Sequence, residues 1–396
     1  MDITSEDTLV QQFYVINHES LYWFSSRKDI KRAAEWLKTI ESANSFGLIS
    51  DTVQIDQIRT ALSNKNKIDI ILKEKTDIQI TGLVLNFIKD LQEGVVHFDY
   101  DEVNVPRDSV YIYQVRNSRY KGSVSKIVSR LDCKDHDYLV LKKYLKDSIT
   151  DKNTFKYKAV VLAMNYRRYL TMNHQSEYIL VNIPTAEAEY YRDDLLALKM
   201  RTVAGKKINQ TPTIASHITS IVTFPFWNVP HTIAVKEILP KAQKDDNYLE
   251  QHNFEVVDAK GNVLDDSELN WKGYTEKNFP YFFRQSTGAD NSLGVIKFNL
   301  KNPFSIFLHA TSWQGAFAKD YRFLSHGCIR LEKPFELADA LLRGMIDIQE
   351  LKDGKKFTES NIIELHAKVP VYLIYVPVTV EGDKVTFLQD VYGLVK

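Results

Sequence analysis

The chain has 396 residues, 44% of them hydrophobic and 26% charged, which suffices for two or three globular domains and excludes collagen, coiled coil and wholesale disorder. Its 51 basic and 51 acidic residues cancel, so no global charge draws it to nucleic acid or an anionic membrane, and no nucleic-acid partner is expected. Two cysteines, Cys133 and Cys328, are too few for a disulfide framework and lack the paired spacing of a structural zinc site, which leaves one of them free to be reactive.

The first seven residues, Met1-Asp2-Ile3-Thr4-Ser5-Glu6-Asp7, are polar and acidic and show no export signal, which needs a basic start and an apolar run. Up to residue 175 the chain holds 4 of its 15 Gly and 1 of its 11 Pro. Apolar residues recur there at helical spacing, as Ile30, Ala33, Ala34, Leu37 and Ile40, then Leu83, Phe87, Ile88 and Leu91. Residues 1–175 are therefore read as a helical domain. Its tyrosine-rich stretch 110–113 reads as packing, and Cys133, in a polar helical context without a basic neighbour, as structural.

From about residue 176 short apolar runs alternate with turn residues, at 178–183, 305–308 and 371–376, and read as strands. The last run is far short of the roughly 20 residues that cross a bilayer. One helix follows Cys328, with Pro334 in its first turn and Phe335, Leu337, Ala338, Leu341, Leu342 and Met345 on its apolar face. Between 236 and 280 charge rises and periodicity fades, the signature of a functional or mobile insertion. The fold class expected is α+β: a helical N-terminal domain over 1–175, then a mainly β, sandwich-like domain over 176–396 with an insertion.

The chemistry concentrates in Leu308-His309-Ala310 and, after a polar loop, Leu324-Ser325-His326-Gly327-Cys328-Ile329-Arg330. A thiol of ordinary pKa is only about 3% thiolate at pH 7, and a neighbouring imidazole that takes its proton makes it a nucleophile. Gly327 permits a turn closed to other residues and brings main-chain N–H groups near the sulfur, where they can serve an oxyanion. A buried, inert thiol is the plain alternative. A zinc site from His309, His326 and Cys328 is disfavoured by the single residue between the last two. Adjacency alone favours His326 as the base, although a side chain across a glycine turn need not face the sulfur.

The pattern of His309, fifteen intervening residues and then Ser-His-Gly-Cys-Ile-Arg resembles the signature of L,D-transpeptidases with a YkuD-type catalytic domain. Further segments resemble the large, scaffold-bearing YcbB-like subclass of Gram-negative bacteria: Thr211-Pro212-Thr213-Ile214, Phe226-Trp227-Asn228-Val229-Pro230, Ile238-Leu239-Pro240-Lys241 and Asp290-Asn291-Ser292-Leu293-Gly294. The helical part, including Leu141 to Leu145 and 165–170, is more loosely similar to that subclass's scaffold. No peptidoglycan-binding helical module is visible near 150–160.

The resemblance implies a cysteine enzyme of the periplasm that forms 3–3 cross-links in peptidoglycan and serves cell-wall biogenesis and cell shape, with no metal or organic cofactor. Cys328 would attack a stem tetrapeptide, release D-Ala and pass the acyl group to the amine of another stem; carbapenems would add to the same sulfur. His309 would be the general base, with His326 supporting the site, Ser325 tying the cysteine loop, and Gly327 and Cys328 giving oxyanion donors. Arg330 would hold a substrate carboxylate, and Trp227, Asn228, Arg284 and Asn291 would line the substrate groove. Residues 240–280 would form a capping lid, with Trp271, Tyr274 and Tyr281 packed in it. If His309 is the base for Cys328, acylation should fall as pH drops through the range where imidazole protonates, and flat acylation down to pH 5 would count against that assignment. Three positions depart from the pattern: Phe307 where Tyr is frequent, Ala310 where a polar residue is common, and Arg330 for the general Asn. The same residues would serve an L,D-carboxypeptidase, in which water resolves the thioester, and the fold alone would serve a non-catalytic peptidoglycan-binding scaffold protein.

Overall fold

The computed structural model describes residues 7–18, 20–119, 122–353 and 359–395, so the first six residues lie outside it. The chain forms two compact units. One comprises the chain up to His97, Asn104–His174 and Val376 onward; the other comprises Phe98–Val103 and Gln175–Tyr375. A single boundary at 175/176 therefore assigns two short segments differently. Both are held by pairings between residues far apart in sequence, which no local periodicity announces.

The first unit is helical: α1 (Thr8–Ile16), α2 (Arg27–Glu41), α3 (Thr52–Ser63), α4 (Ile70–Glu93), α5 (Asp108–Ser118), α6 (Val124–Leu131), α7 (His136–Ser148) and α8 (Phe155–Met172). Ser26, Asp51, Asp69, Asp135 and Thr154 each accept a backbone N–H from the first turn of α2, α3, α4, α7 and α8, so local chemistry fixes where these helices begin. Ala33, Trp36, Leu37 and Ile40 turn inward from α2, and Ile80, Val84, Ile88 and Leu91 from α4. The buried Asp77 carboxylate accepts the N–H groups of Tyr22, Trp23 and Phe24 at 2.9, 2.7 and 3.0 Å, which binds the α1–α2 connection to α4. Tyr111 is buried on α5 while Tyr113 is exposed. Cys133 is buried, its thiol pushed up by that burial and 3.6 Å from Thr171 Oγ1. A C-terminal hairpin, Val378–Glu381 with Lys384–Phe387, brings Phe387 against Tyr144 and Phe155 at ring distances of 5.7 and 6.4 Å.

The second unit is mainly β. Its strands are β1 (Tyr100–Asp101), β2 (Tyr178–Asn182), β3 (Glu187–Arg192), β4 (Leu195–Gly205), β5 (Ile214–Thr223), β6 (Trp227–Asn228), β7 (Phe254–Val257), β8 (Val263–Leu264), β9 (Phe282–Gln285), β10 (Ile296–Leu300), β11 (Leu308–His309), β12 (Phe323–Ser325), β13 (Ile329–Leu331) and β14 (Asn361–Ile374). Pairings run β5-β10-β11-β13-β4-β3-β2-β14, and β14 pairs back onto β5, so the sandwich-like core is one continuous ring of strands. Closure leaves the eight strands of the ring without an unpaired edge. Their inward side chains, among them Val181, Tyr190, Ile221, Phe298, Leu308, Leu331 and Leu373, are buried.

The helix after Cys328, α9 (Pro334–Leu342), stops where Arg343 turns left-handed at φ 51°, so Met345 lies beyond it. The insertion is wider than 240–280. It starts at β6 and ends at β9, because its own sheet, ordered β6-β9-β7-β8, needs both flanking strands. A separate core holds it, with Val229, Ile233, Ile238, Leu239, Phe254 and Phe283 buried and Trp271, Tyr274 and Tyr281 packed against them. Trp271 stacks on Phe283 at 6.2 Å.

Candidate active site

Three neighbouring strands line up three basic side chains. In the antiparallel β10–β11 pair Lys297 stands opposite His309, and in the parallel β11–β13 pair His309 stands opposite Arg330. Cross-strand partners share a face, so Lys297, His309 and Arg330 form one row. Cys328 precedes β13 two residues before Arg330, the spacing that puts it on the side of that row.

Side-chain hydroxyls tie the loop that carries Cys328 at three points. Ser325 Oγ donates to the Cys328 carbonyl at 2.6 Å and accepts the Gly327 N–H at 3.1 Å. Thr211 Oγ1 donates to the Gly327 carbonyl at 2.7 Å and accepts the Gly205 N–H at 2.9 Å, linking the loop to the end of β4. Gly327 has φ +121°, and a Cβ there would meet Ile306 Cδ1 at 3.1 Å, so the turn calls for glycine. With the Gly327 N–H occupied by Ser325, it is not a spare oxyanion donor. The Cys328 N–H has no acceptor among the described residues and is the donor that remains.

Cys328 is half-buried. Its Sγ donates to the Ser305 carbonyl at 3.7 Å, from a residue itself held at φ 57°. Burial pushes the thiol up to about 11, against the opposing pull of the Phe307 backbone N–H, Lys297 and Arg330. The sulfur therefore rests as a neutral thiol. His309 is buried, and burial together with the charges of Arg330 and Lys297 pushes its imidazole down to about 3, although the backbone of Ala310 and Leu293 favours protonation. It is neutral across the physiological range, and its buried Nδ1 has no partner. Among the described residues no hydrogen bond joins it to Cys328. The ring hydrogen-bonds to the backbone of Ala310 and Leu293, and Gly294, at φ +63°, runs so close to Ala310 that a Cβ would come within 2.6 Å of the Ala310 methyl.

His326 points elsewhere. Its Nε2 meets Glu237 Oε1 at 2.6 Å, and Glu237 belongs to the insertion, so this contact joins the insertion to the cysteine loop. Consequently His309, His326 and Cys328 do not converge; among the described residues no three or more His, Cys, Asp or Glu side chains are grouped to hold a metal ion. Arg330 is half-buried, with its Nε enclosed and unpartnered.

The other groove candidates are engaged within the protein. Arg284 donates through Nε and a terminal nitrogen to Glu255 Oε2 at 2.8 and 2.7 Å and lies over the Phe226 ring, so its charge is already answered. Asn291 is buried, donating to the carbonyls of Pro225 and Ser286 and accepting the Leu293 N–H at 2.7 Å; it shapes the loop behind His309. Trp227 packs against Phe254 inside the insertion, and Asn228, beside it on β6, is exposed. Lys297, Thr211 and Glu237 gained no role from sequence reasoning. The available signal for Lys297 was a lone cation inside the apolar run Val295-Ile296-Lys297-Phe298.

Comparisons with known proteins agree with this layout. Residues 176–371 match the family model of the L,D-transpeptidase catalytic domain, YkuD, and residues 8–145 match that of a Scaffold domain. A curated protein of Haemophilus influenzae named "Putative L,D-transpeptidase" is 36% identical over 236 residues, which cover 59% of this chain and 47% of that protein. The chain thus spans about half the length of the curated relative it matches. Among solved structures, a mutant of the Enterococcus faecium L,D-transpeptidase is 12% identical, with a TM-score of 0.26 over 51% of each chain. The catalytic domain of the E. faecium enzyme acylated by ertapenem is 14% identical, with a TM-score of 0.25 over 51% of this chain and 98% of that one.

Proposed function

We propose, from the premise that this chain joins a YkuD-type L,D-transpeptidase catalytic domain to a Scaffold domain, that it is a cysteine acyltransferase forming 3–3 cross-links between peptidoglycan stem peptides. The observation that carries the reading is the half-buried Cys328 thiol beside the Lys297–His309–Arg330 row, with its own N–H unengaged. A neutral thiol next to a neutral imidazole holds no charge at rest, so proton transfer accompanies attack rather than preceding it.

In the first half-reaction the thiol proton passes to His309 Nδ1 as the sulfur bonds to the carbonyl that precedes the terminal D-Ala of a stem tetrapeptide. The oxyanion takes the Cys328 N–H. Collapse breaks the C–N bond; the proton on His309 goes to the departing D-Ala amine, and a thioester remains. In the second half-reaction the acceptor stem's amine, once deprotonated, attacks the thioester. His309 takes the second proton lost by that amine and returns it to the sulfur. Arg330, with no carboxylate partner among the described residues, suits a bidentate grip on a substrate carboxylate.

Transfer to an amine rather than to water needs a site screened from solvent. The Glu237–His326 contact, which brings the insertion against the cysteine loop, supports reading that insertion as a lid. A peptidoglycan substrate, together with the resemblance to the Gram-negative subclass, supports the periplasm as the working location, as part of the same proposal. The test is product analysis by mass spectrometry after incubation with purified disaccharide-tetrapeptide, with Cys328→Ala as control. Cysteine-dependent dimers lacking one D-Ala support the reading. Cysteine-dependent tripeptide monomers alone would make the protein an L,D-carboxypeptidase, and the absence of any cysteine-dependent product would leave a non-catalytic, wall-binding role.

A further inference from the structure

Lys297 is the member of the basic row that the mechanism above leaves without a task. Its side chain is half-buried, and its ammonium lies 4.3 Å from the centre of the Phe307 ring. No carboxylate pairs with it among the described residues. That is an uncommon condition for a lysine in the interior of a sheet, because desolvating an ammonium is costly unless something answers its charge. Lys199, Lys236 and Lys301 of the same unit meet carboxylates, and Lys241, Lys319 and Lys352, which lie over aromatic rings as Lys297 does, are exposed to water where Lys297 is half-buried. At Lys297 an aromatic face supplies part of the answer. Among the described side chains around Lys297 at the site, the group that can become an anion is the Cys328 thiol.

We propose that Lys297 is an electrostatic positioning residue for the nucleophile: held over Phe307 and paired with no carboxylate, its ammonium stabilises the Cys328 thiolate as that charge develops during attack. The inference rests on the reading of Cys328 as nucleophile. Other ionisable groups around the sulfur do not duplicate the task. His309 is neutral and buried, and His326 is turned to Glu237. Arg330 shares the row, but its planar fork suits a substrate carboxylate, whereas an ammonium acts as a compact point charge. Burial depresses Lys297 while Cys328 works the other way, and the same pair of charges pulls the thiol down against its own burial.

The test measures the rate of alkylation of Cys328 by iodoacetamide between pH 7 and 10, read on the Cys328 peptide by mass spectrometry, in the full chain and in Lys297→Met, Lys297→Gln and Lys297→Arg. Alkylation needs the thiolate and no peptidoglycan, so its outcome is independent of whether tetrapeptide is turned over. The expected result is a rate at pH 8 lower by about tenfold or more in the Met and Gln variants, with the pH profile displaced upward and largely restored by Arg. An unchanged profile in a Met or Gln variant with native circular dichroism would overturn the proposal. So would a displacement that Arg does not reverse, since it would trace to packing rather than charge.

Discussion

Ser325 Oγ donates to the Cys328 carbonyl at 2.6 Å, which makes a side chain three residues upstream the clamp on the nucleophile's own backbone. The same oxygen accepts the Gly327 N–H, so one hydroxyl holds both ends of the turn. Replacing it leaves a buried carbonyl and a buried N–H without partners, at about 1–3 kcal/mol for each group left unsatisfied. Ser325→Ala is therefore expected to lower the urea midpoint of the catalytic unit and to slow acylation of Cys328 at least tenfold, while Ser325→Thr keeps most of both. Chemical denaturation followed by timed intact-mass measurements checks this; an Ala variant with native acylation would mean the clamp does not matter to the sulfur.

The pH dependence of acylation follows from two groups that are neutral together. The thiol lies at about 11 and the imidazole at about 3, so between pH 5 and 9 neither changes its protonation. The fall below pH 7 expected from an ordinary imidazole is thereby replaced. Acylation by a carbapenem, followed by the mass of the adduct, should be nearly flat over that range when His309 takes the proton. In His309→Gln only the small thiolate fraction can react, and the rate should rise about tenfold per pH unit. A wild-type rate that drops severalfold from pH 7 to 5 would show that His309 titrates near its usual value and is less buried than it stands here.

Stability carries the same information independently of turnover. His309 is depressed from 6.5 to about 3, so below pH 6.5 the unfolded chain binds a proton that the folded chain refuses. Its contribution to stability is present above 6.5 and is lost as pH falls toward 3, with a slope of up to about 1.4 kcal/mol per unit. Carboxylates titrate in that window too, so the readout is the difference between wild type and His309→Gln in denaturant midpoints from pH 7 to 4. The variant is expected to lose less stability over that span. Parallel curves would remove the case for a neutral, desolvated imidazole.

How much of this was legible in the sequence differs from residue to residue. Cys328, Gly327, Ser325 and His309 stand out in the sequence because they are close in the chain or unusual in type. Lys297 and Glu237 do not, because their relevance is created by strand register and by a contact spanning 89 positions. Arg284 and Asn291 each carry a polar group with no evident local role along the chain, and Glu255 and the Pro225 carbonyl, which they meet, lie 29 and 66 positions away. His217 likewise shows no partner along the chain yet meets Glu102 at 3.1 Å through the β1–β5 pairing. The helices of the first unit were legible from periodicity and caps, whereas the closure of the β ring through β5 and β14 depends on sequence separations that no pattern encodes.

The contact between Glu237 and His326 makes the proposed lid role of the insertion testable without disturbing the chemistry. The two side chains remain partly exposed, at 44% and 27%, so the pair is worth no more than about 1 kcal/mol and Glu237→Gln should leave the fold intact. What it should change is how long the insertion stays against the cysteine loop, and hence how often water reaches the thioester. With disaccharide-tetrapeptide as donor and acceptor, Glu237→Gln and Glu237→Ala are expected to form thioester at close to the native rate. The products should shift severalfold from dimer toward tripeptide monomer. Because the effect lies in the partition of a common intermediate, the ratio of the two products measured at fixed acceptor concentration isolates it from any change in overall rate. An unchanged ratio in both variants would mean that the insertion screens the sulfur by its packing alone, or does not screen it.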